Sequence, residues 1–192
     1  MNALEDRLSR FSTPDLKPPV LPDADVAYAL HDTAIGTLLL AVAHGRVVAS
    51  SFGDEETITG RLARAVSPRV LRQPRALDAV RGELDEYLAG ERQEFTVQVD
   101  LALATPFQQL VLSDLRTHTS YGATKSYGEL AGEIDRPKAA RAVGTALGAN
   151  PVCVLLPCHR IIGSSGSLTG YAGGLDAKRY LLNLEKKRTR SA

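Results

Sequence analysis

The spacing of apolar residues changes once along the 192-residue chain, and that change divides it into two units of different build. In the first, apolar residues come in short runs broken by turn residues. Segments 26–30, 37–43 and 47–52 read as strands, and His44-Gly45-Arg46 supplies the turn of a hairpin between the last two. Two helix-period segments follow, at 56–66 and 74–89. In the second, Leu77, Val80, Leu84 and Leu88 recur at three- and four-residue spacings, and Gly90 lies just past the end. Segment 95–99 alternates like a half-buried strand. This unit, 25–103, is a small α/β domain without a catalytic constellation. The proline-bearing segment ahead of it, 1–24, reads as a loosely ordered arm.

The second unit, 104–192, is mainly helical. Thr105-Pro106 starts a helix with a capping hydroxyl and proline at the first helical position, running to about Thr117. Ser126 caps a short helix over 127–133, with Glu129 completing a capping box. A second helix, rich in alanine and glycine, runs from Pro137 to about Gly148 and carries Lys138 and Arg141. Two short helices about a tight turn have the form of a helix-turn-helix, though on spacing alone a plain helical hairpin is the more common outcome. Segment 152–156 is apolar and strand-like, a Gly/Ser-rich loop spans 163–174, and a basic helix covers 176–187.

Charge follows the same division. The chain is nearly neutral at +1, but 1–104 holds 11 basic against 16 acidic residues and 105–192 holds 12 against 6. The second unit therefore suits an anionic partner, with nucleic acid foremost; clustering on a solvated face is the plainer reading. The longest apolar run is the six residues 38–43, far short of the ~18 needed to span a membrane. A soluble, cytoplasmic protein is expected, with no membrane partner.

Cys158, beside His159, is the residue with chemistry to offer. The thiolate is the nucleophilic form, and a free thiol with a pKa of ~8.5 is only a few per cent ionised at pH 7. An imidazole, Arg160 or a helix end shifts that balance. On an extended segment neighbouring side chains point apart, so His159 would act on Cys158 through a water. An inert core cysteine beside a structural histidine is the competing reading of these residues. Cys153, inside an apolar run, reads as packing. Other signatures fail. Segment 163–167 lacks the final glycine of a nucleophile elbow, 124–126 lacks a phosphate-binding loop, and four scattered histidines with two cysteines give no metal spacing. No cofactor and no metal are expected.

Pro157-Cys158-His159-Arg160, set within 150–163, closely resembles the acceptor motif of the O6-alkylguanine-DNA alkyltransferases. The resemblance continues through 105–109, 126–130, 137–144 and 169–174, in order and at family spacing. It implies an α+β protein, with a small N-terminal ribonuclease H-like domain and a mainly helical, winged helix-turn-helix-like C-terminal domain. It also implies a single-turnover methyltransferase that repairs DNA by moving an alkyl group from O6-alkylguanine, or O4-alkylthymine, in duplex DNA to its own cysteine. Cys158 would be the acceptor, His159 a proton relay, Glu185 the carboxylate that orients it, and Asn150 the tie to the cysteine segment. The base must leave the stack to be reached. Tyr127 would help flip it and Arg141 would fill its place. Carbonyls of Cys158 and Ile161 would accept from the base, the Ala172 N–H would approach O6, and Tyr171 would wall the pocket. Ser164, with Lys125, Lys138 and Arg160, would contact phosphates. The partner would be met through the minor groove by a monomer.

The sequence departs from the family pattern at a few points. No tryptophan follows Gln109, Cys153 puts a second thiol near the pocket, residue 172 is alanine without a hydroxyl, and the arm has no cysteine. Two other classes compete. A lesion-binding protein that recruits repair factors would lack the cysteine present here. A helix-turn-helix regulator would read sequence with long polar side chains, which the alanine-rich helix does not supply.

Overall fold

The computed structural model describes residues 24–189. Strands β1 (Val26–Thr33), β2 (Gly36–Ala43), β3 (Arg46–Ser51) and β4 (Val70–Arg72) form one sheet in the order β3-β2-β1-β4. β1–β2 and β2–β3 are antiparallel, and β4 joins β1 in parallel. The β2–β3 turn is His44-Gly45, both at positive φ (50° and 72°), the backbone that matches a two-residue hairpin to the twist of its strands. β4, three residues long, was not visible as a strand in the sequence: it is too short to show alternation.

Alternate side chains of the sheet go to opposite faces. Leu39, Ala41, Val48 and Ala49 pack beneath α1 (Glu55–Ala65) through Ile58 and Leu62. Leu38, Leu40 and Val47 face a 3₁₀ turn (Pro74–Leu77) and α2 (Asp78–Leu88) through Leu77, Val80, Leu84 and Tyr87. That second core continues without a break into the helical unit, where it takes in Val111, Leu112, Leu115, Leu130, Val143 and Cys158. Each fully buried leucine here contributes about 1.5–3 kcal/mol of transfer free energy. The Cys158 segment thus sits at the seam of the two units.

The helical unit contains α3 (Pro106–His118), α4 (Tyr127–Glu133), α5 (Ala140–Gly148) and α6 (Gly174–Thr189). Capping boxes hold the starts of α3 (Thr105 with Gln108) and α4 (Ser126 with Glu129). The turn between α4 and α5 passes through Asp135 at φ 57°, and Ala139 N–H closes a turn on Arg136 O at 2.8 Å. α5 therefore starts three residues later than expected, and Lys138 lies in the turn before it. Short strands β5 (Lys125–Ser126) and β6 (Ile161–Ile162) pair in parallel, tying the start of α4 to the end of the cysteine segment.

Two expected strands are not strands. Segment 95–99 makes one isolated bridge to the outer edge of β3, and 152–156 makes one to β3 and one within itself. Val47 N–H donates to Gln98 O and Asp100 N–H to Val47 O, while Ser50 N–H donates to Pro151 O and Cys153 N–H to Ser50 O. Both are apolar because they cover an exposed sheet edge, which needs partners but not a full ladder. Arm residues 1–23 lie outside the described residues. Among the described residues, no helix is long and apolar enough to cross a membrane.

Candidate active site

The cysteine segment is clamped by β3. Ser50 Oγ donates to Cys153 O at 2.9 Å and Ser51 Oγ to Pro151 O at 2.7 Å. Within the segment the chain reverses at Val154, whose φ of 73° is rare for a β-branched residue, and Leu156 N–H closes on Val152 O at 3.0 Å. Asn150, 5% exposed, holds the reversal together. Its Oδ1 accepts from Val152 N–H at 2.9 Å, and its Nδ2 donates to Leu156 O at 3.1 Å and to Cys158 Sγ at 3.2 Å. All of its amide capacity is directed at the segment that presents the sulfur.

Cys158–Arg160 is a 3₁₀ turn rather than the extended run expected, and all three residues are buried. His159 has no exposed surface. Its Nε2 lies 2.6 Å from Glu185 Oε1 on α6, while Nδ1 has no hydrogen-bond partner among the described protein groups. Burial holds the His159 pKa below the usual imidazole value, against the pull of Glu185. The ring is then neutral, Nε2–H donates to the carboxylate, and Nδ1 keeps a lone pair.

Glu185 is 1% exposed, and burial, the largest single influence, raises its pKa; the hydrogen bond and charge of His159 work against it. With the charge of Arg160 and the hydroxyl of Tyr87 added, these together overcome burial and hold the carboxyl at about 2. Arg160 Nε reaches Glu185 Oε2 at 2.9 Å and its Nη1 donates to Thr119 O at 2.7 Å. Gly122 N–H donates to Oε2 at 2.8 Å. The buried negative charge is thus balanced by Arg160, leaving His159 free to stay neutral. Arg160 is consequently not a phosphate contact, and Lys125 is partly committed elsewhere by its ion pair with Glu133.

The Cys158 thiol is held below the ordinary thiol range. The largest cause is a hydrogen bond from Cys153; burial opposes it, and Asn150 and the charge of Lys178 assist. Lys178, fully buried, was missed in the sequence, where it looks like any basic residue of a basic helix. Its Nζ donates to Ile161 O at 2.6 Å and Thr169 O at 3.0 Å, joining the cysteine segment to the loop opposite. Tyr87 was missed too: it is fully buried on α2, and its hydroxyl donates to Glu185 Oε1.

Tyr127, Arg141, Gly144, Tyr171 and Ala172 line one open cleft of about 580 Å³ between α4, α5 and the loop before α6. Thr169 Oγ1 donates to Tyr127 OH at 2.9 Å across it. Arg141 and Ala172 are exposed, Tyr127 and Tyr171 half-buried. The Tyr171 ring stands edge-on to His159, with centroids 6.4 Å apart, and to Phe52 at 5.7 Å. Ile161 O retains a second lone pair beyond its bond to Lys178. Ser164 is exposed on the loop and does not line the cleft. Among the described residues no group of three or more His, Cys, Asp or Glu side chains is gathered as a metal site requires.

Fold and site together define a class: a helix-turn-helix protein with a buried thiol, a buried imidazole–carboxylate pair next to it in sequence and fold, and an open cleft close by. Residues 106–187 match the family model of the 6-O-methylguanine DNA methyltransferase DNA binding domain, and 26–101 that of the ribonuclease-like domain of the same enzymes. The chain belongs to the 6-O-methylguanine DNA methyltransferase family. It is 45% identical over 163 residues to the methylated-DNA–protein-cysteine methyltransferase of Mycobacterium tuberculosis, spanning 85% of this chain and 94% of that one. The crystal structure of the Mycobacterium tuberculosis O6-methylguanine methyltransferase superposes with a TM-score of 0.74 at 43% identity, over 85% of this chain and 94% of that one. That of Mycobacterium tuberculosis OGT in complex with DNA gives 0.73 at 41%, over 84% and 94%.

Proposed function

We propose that this protein repairs DNA by transferring the alkyl group of O6-alkylguanine in a duplex, once and irreversibly, to Cys158. DNA is the partner. The observation that carries the assignment to Cys158 is the buried chain Asn150–Cys158 and His159–Glu185 set beside the cleft of Tyr127 and Arg141.

In this reading α5 enters the minor groove, where its small residues permit close approach, and the damaged nucleotide swings into the cleft. Flipping costs a few kcal/mol, offset by Arg141 stacking in the vacated place and Tyr127 holding the base. Carbonyls of Cys158 and Ile161 accept from the exocyclic amine, the Ala172 N–H approaches O6, and Tyr171 walls the pocket; Ser164 touches the backbone. The Cys158 proton passes by way of a water to Nδ1 of His159, whose Nε2–H is fixed by Glu185. The sulfur then bonds to the alkyl carbon as the carbon–O6 bond breaks, and the electron pair stays on the guanine. Donors near O6 stabilise that growing charge. The protein acts as a cytoplasmic monomer, dividing at 25–103 and 104–192.

The test is a single-turnover reaction with a duplex carrying labelled O6-methylguanine, followed by mass analysis of the Cys158 peptide. One methyl per chain on Cys158, with guanine restored, is the expected result. Tight lesion binding with no transfer would instead make it a recruiting protein.

A further inference from the structure

We propose that Cys153 and Cys158 are a reversible redox pair: a hydroperoxide reaching the acceptor sulfur produces a Cys153–Cys158 disulfide instead of a destroyed acceptor. The chain has two cysteines in all, both free and both buried, at 2% and 6% exposure. The reversal at Val154 folds one back on the other. Cys153 is bridged to Leu156, and Cys158 N–H closes on Leu156 O at 2.8 Å. Asn150 touches both sulfurs: its Nδ2 lies 3.2 Å from Cys158 Sγ, and its backbone carbonyl accepts from Cys153 Sγ at 3.5 Å. Ser50 fixes Cys153 through both its backbone groups. Alkyl transfer uses one sulfur, so the second has no part in its stoichiometry.

The pair is chemically asymmetric in the sense such a reaction needs. Each thiol's influence on the other pushes Cys153 up and holds Cys158 down, so Cys158 is the one that gives up its proton first. The Cys158 thiolate attacks one peroxide oxygen; the S–O bond forms, the O–O bond breaks, and hydroxide leaves and is protonated to water. Cys153 sulfur then attacks the sulfenic sulfur; the S–S bond forms, the S–O bond breaks, and the oxygen departs with the Cys153 proton as a second water. Two thiols lose two electrons and one peroxide gains them. A thiol held on the same asparagine outcompetes a second peroxide arriving from solution, which would drive Cys158 up the irreversible branch to sulfinic acid.

The readouts are mass and thiol count, so the inference stands or falls apart from the methyl-transfer reading. The reduced full-length protein is titrated with hydrogen peroxide, and thiols and intact mass are measured without reductant. One equivalent should remove both thiols together with loss of two hydrogens, and dithiothreitol should restore both. Cys153→Ala should gain oxygen on Cys158 instead, with sulfinic acid forming on the order of tenfold faster than in the wild type. Transfer activity, each protein compared with its own untreated rate, should return with dithiothreitol only in the wild type. Loss of a single thiol per equivalent in the wild type would overturn the proposal without reference to any variant. So would disulfide-linked dimers, or equal sulfinic acid in both proteins.

Discussion

Tyr87 and Glu185, 98 positions apart and from different units of the chain, share a hydrogen bond in which the tyrosine hydroxyl donates to Oε1, the oxygen that also receives His159. The ribonuclease-like domain therefore contributes directly to the polar network behind Cys158. Arg160 Nε also lies 3.2 Å from that oxygen, so Tyr87 is one of three donors on it, which makes the carboxylate a weaker base and weakens its hold on a proton at His159.

Tyr87→Phe keeps the ring packed against Phe95 and Tyr121 and removes only the donor. Glu185 then binds a charged His159 more strongly, the imidazole pKa rises, and the acid limb of the transfer rate moves to higher pH. A buried hydrogen bond to a charged group is worth about 1.5–3 kcal/mol, which urea unfolding should register. An acid limb unchanged from wild type, with stability lost, would reduce Tyr87 to a packing role.

Gly173 lies against Phe52 so closely that a Cβ there would stand 2.6–2.8 Å from three ring atoms. Phe52 follows β3 and packs on Tyr171, so this contact sets where the pocket loop sits relative to the sheet. Gly173→Ala should push the loop off, costing about 1–3 kcal/mol as overpacking does and slowing transfer by a larger factor than it weakens binding to undamaged duplex. Phe52→Ala in the same chain should recover most of the transfer rate. Failure of that second change to help would place the constraint on Gly173 elsewhere.

The helical unit was legible because its signals are local: Thr105 and Ser126 cap helices that the structure caps in that way. The Asn150–Cys158 contact lay inside one motif and could be expected from resemblance. Tyr87 and Lys178 could not, because each occupies an ordinary helical position and acquires its role from a partner that folding alone brings near. Residues 95–99 and 152–156 misled in the opposite direction. Burial against an edge gives a sequence the apolar look of a strand, whether or not a ladder forms.

Stability should fall with acid in two stages. His159 has a folded pKa below 6.5, so below that value the unfolded chain binds the proton more readily and folding weakens. Glu185 drops from 4.5 to about 2 on folding, a contribution of about 3 kcal/mol that is fully present above pH 4.5 and disappears as the pH falls through 2. Urea midpoints measured between pH 7 and pH 2 should show both stages in the wild type. Glu185→Gln leaves Arg160 unpaired and is less stable throughout, so slopes rather than levels are compared. Its decline below pH 4.5 should be distinctly shallower; an identical slope would mean that other carboxylates carry the acid transition.

Arg141 stands exposed near the start of α5, on the cleft shared with Tyr127 and Gly144, and so can enter DNA without first breaking a buried contact. If it fills the gap left by the flipped base, its worth lies in a flat face as well as in charge. Stacking on bases is worth about 1–3 kcal/mol, so Arg141→Ala should slow methyl transfer by roughly 5- to 150-fold. Affinity for undamaged duplex should change far less, since one phosphate-range charge among several is lost. Arg141→Lys separates the two contributions. Lysine keeps the charge without the planar guanidinium, so it should restore binding to undamaged duplex and its salt dependence while leaving transfer close to the alanine variant. Transfer restored by lysine would make Arg141 an electrostatic contact only, and the gap in the stack would need another occupant.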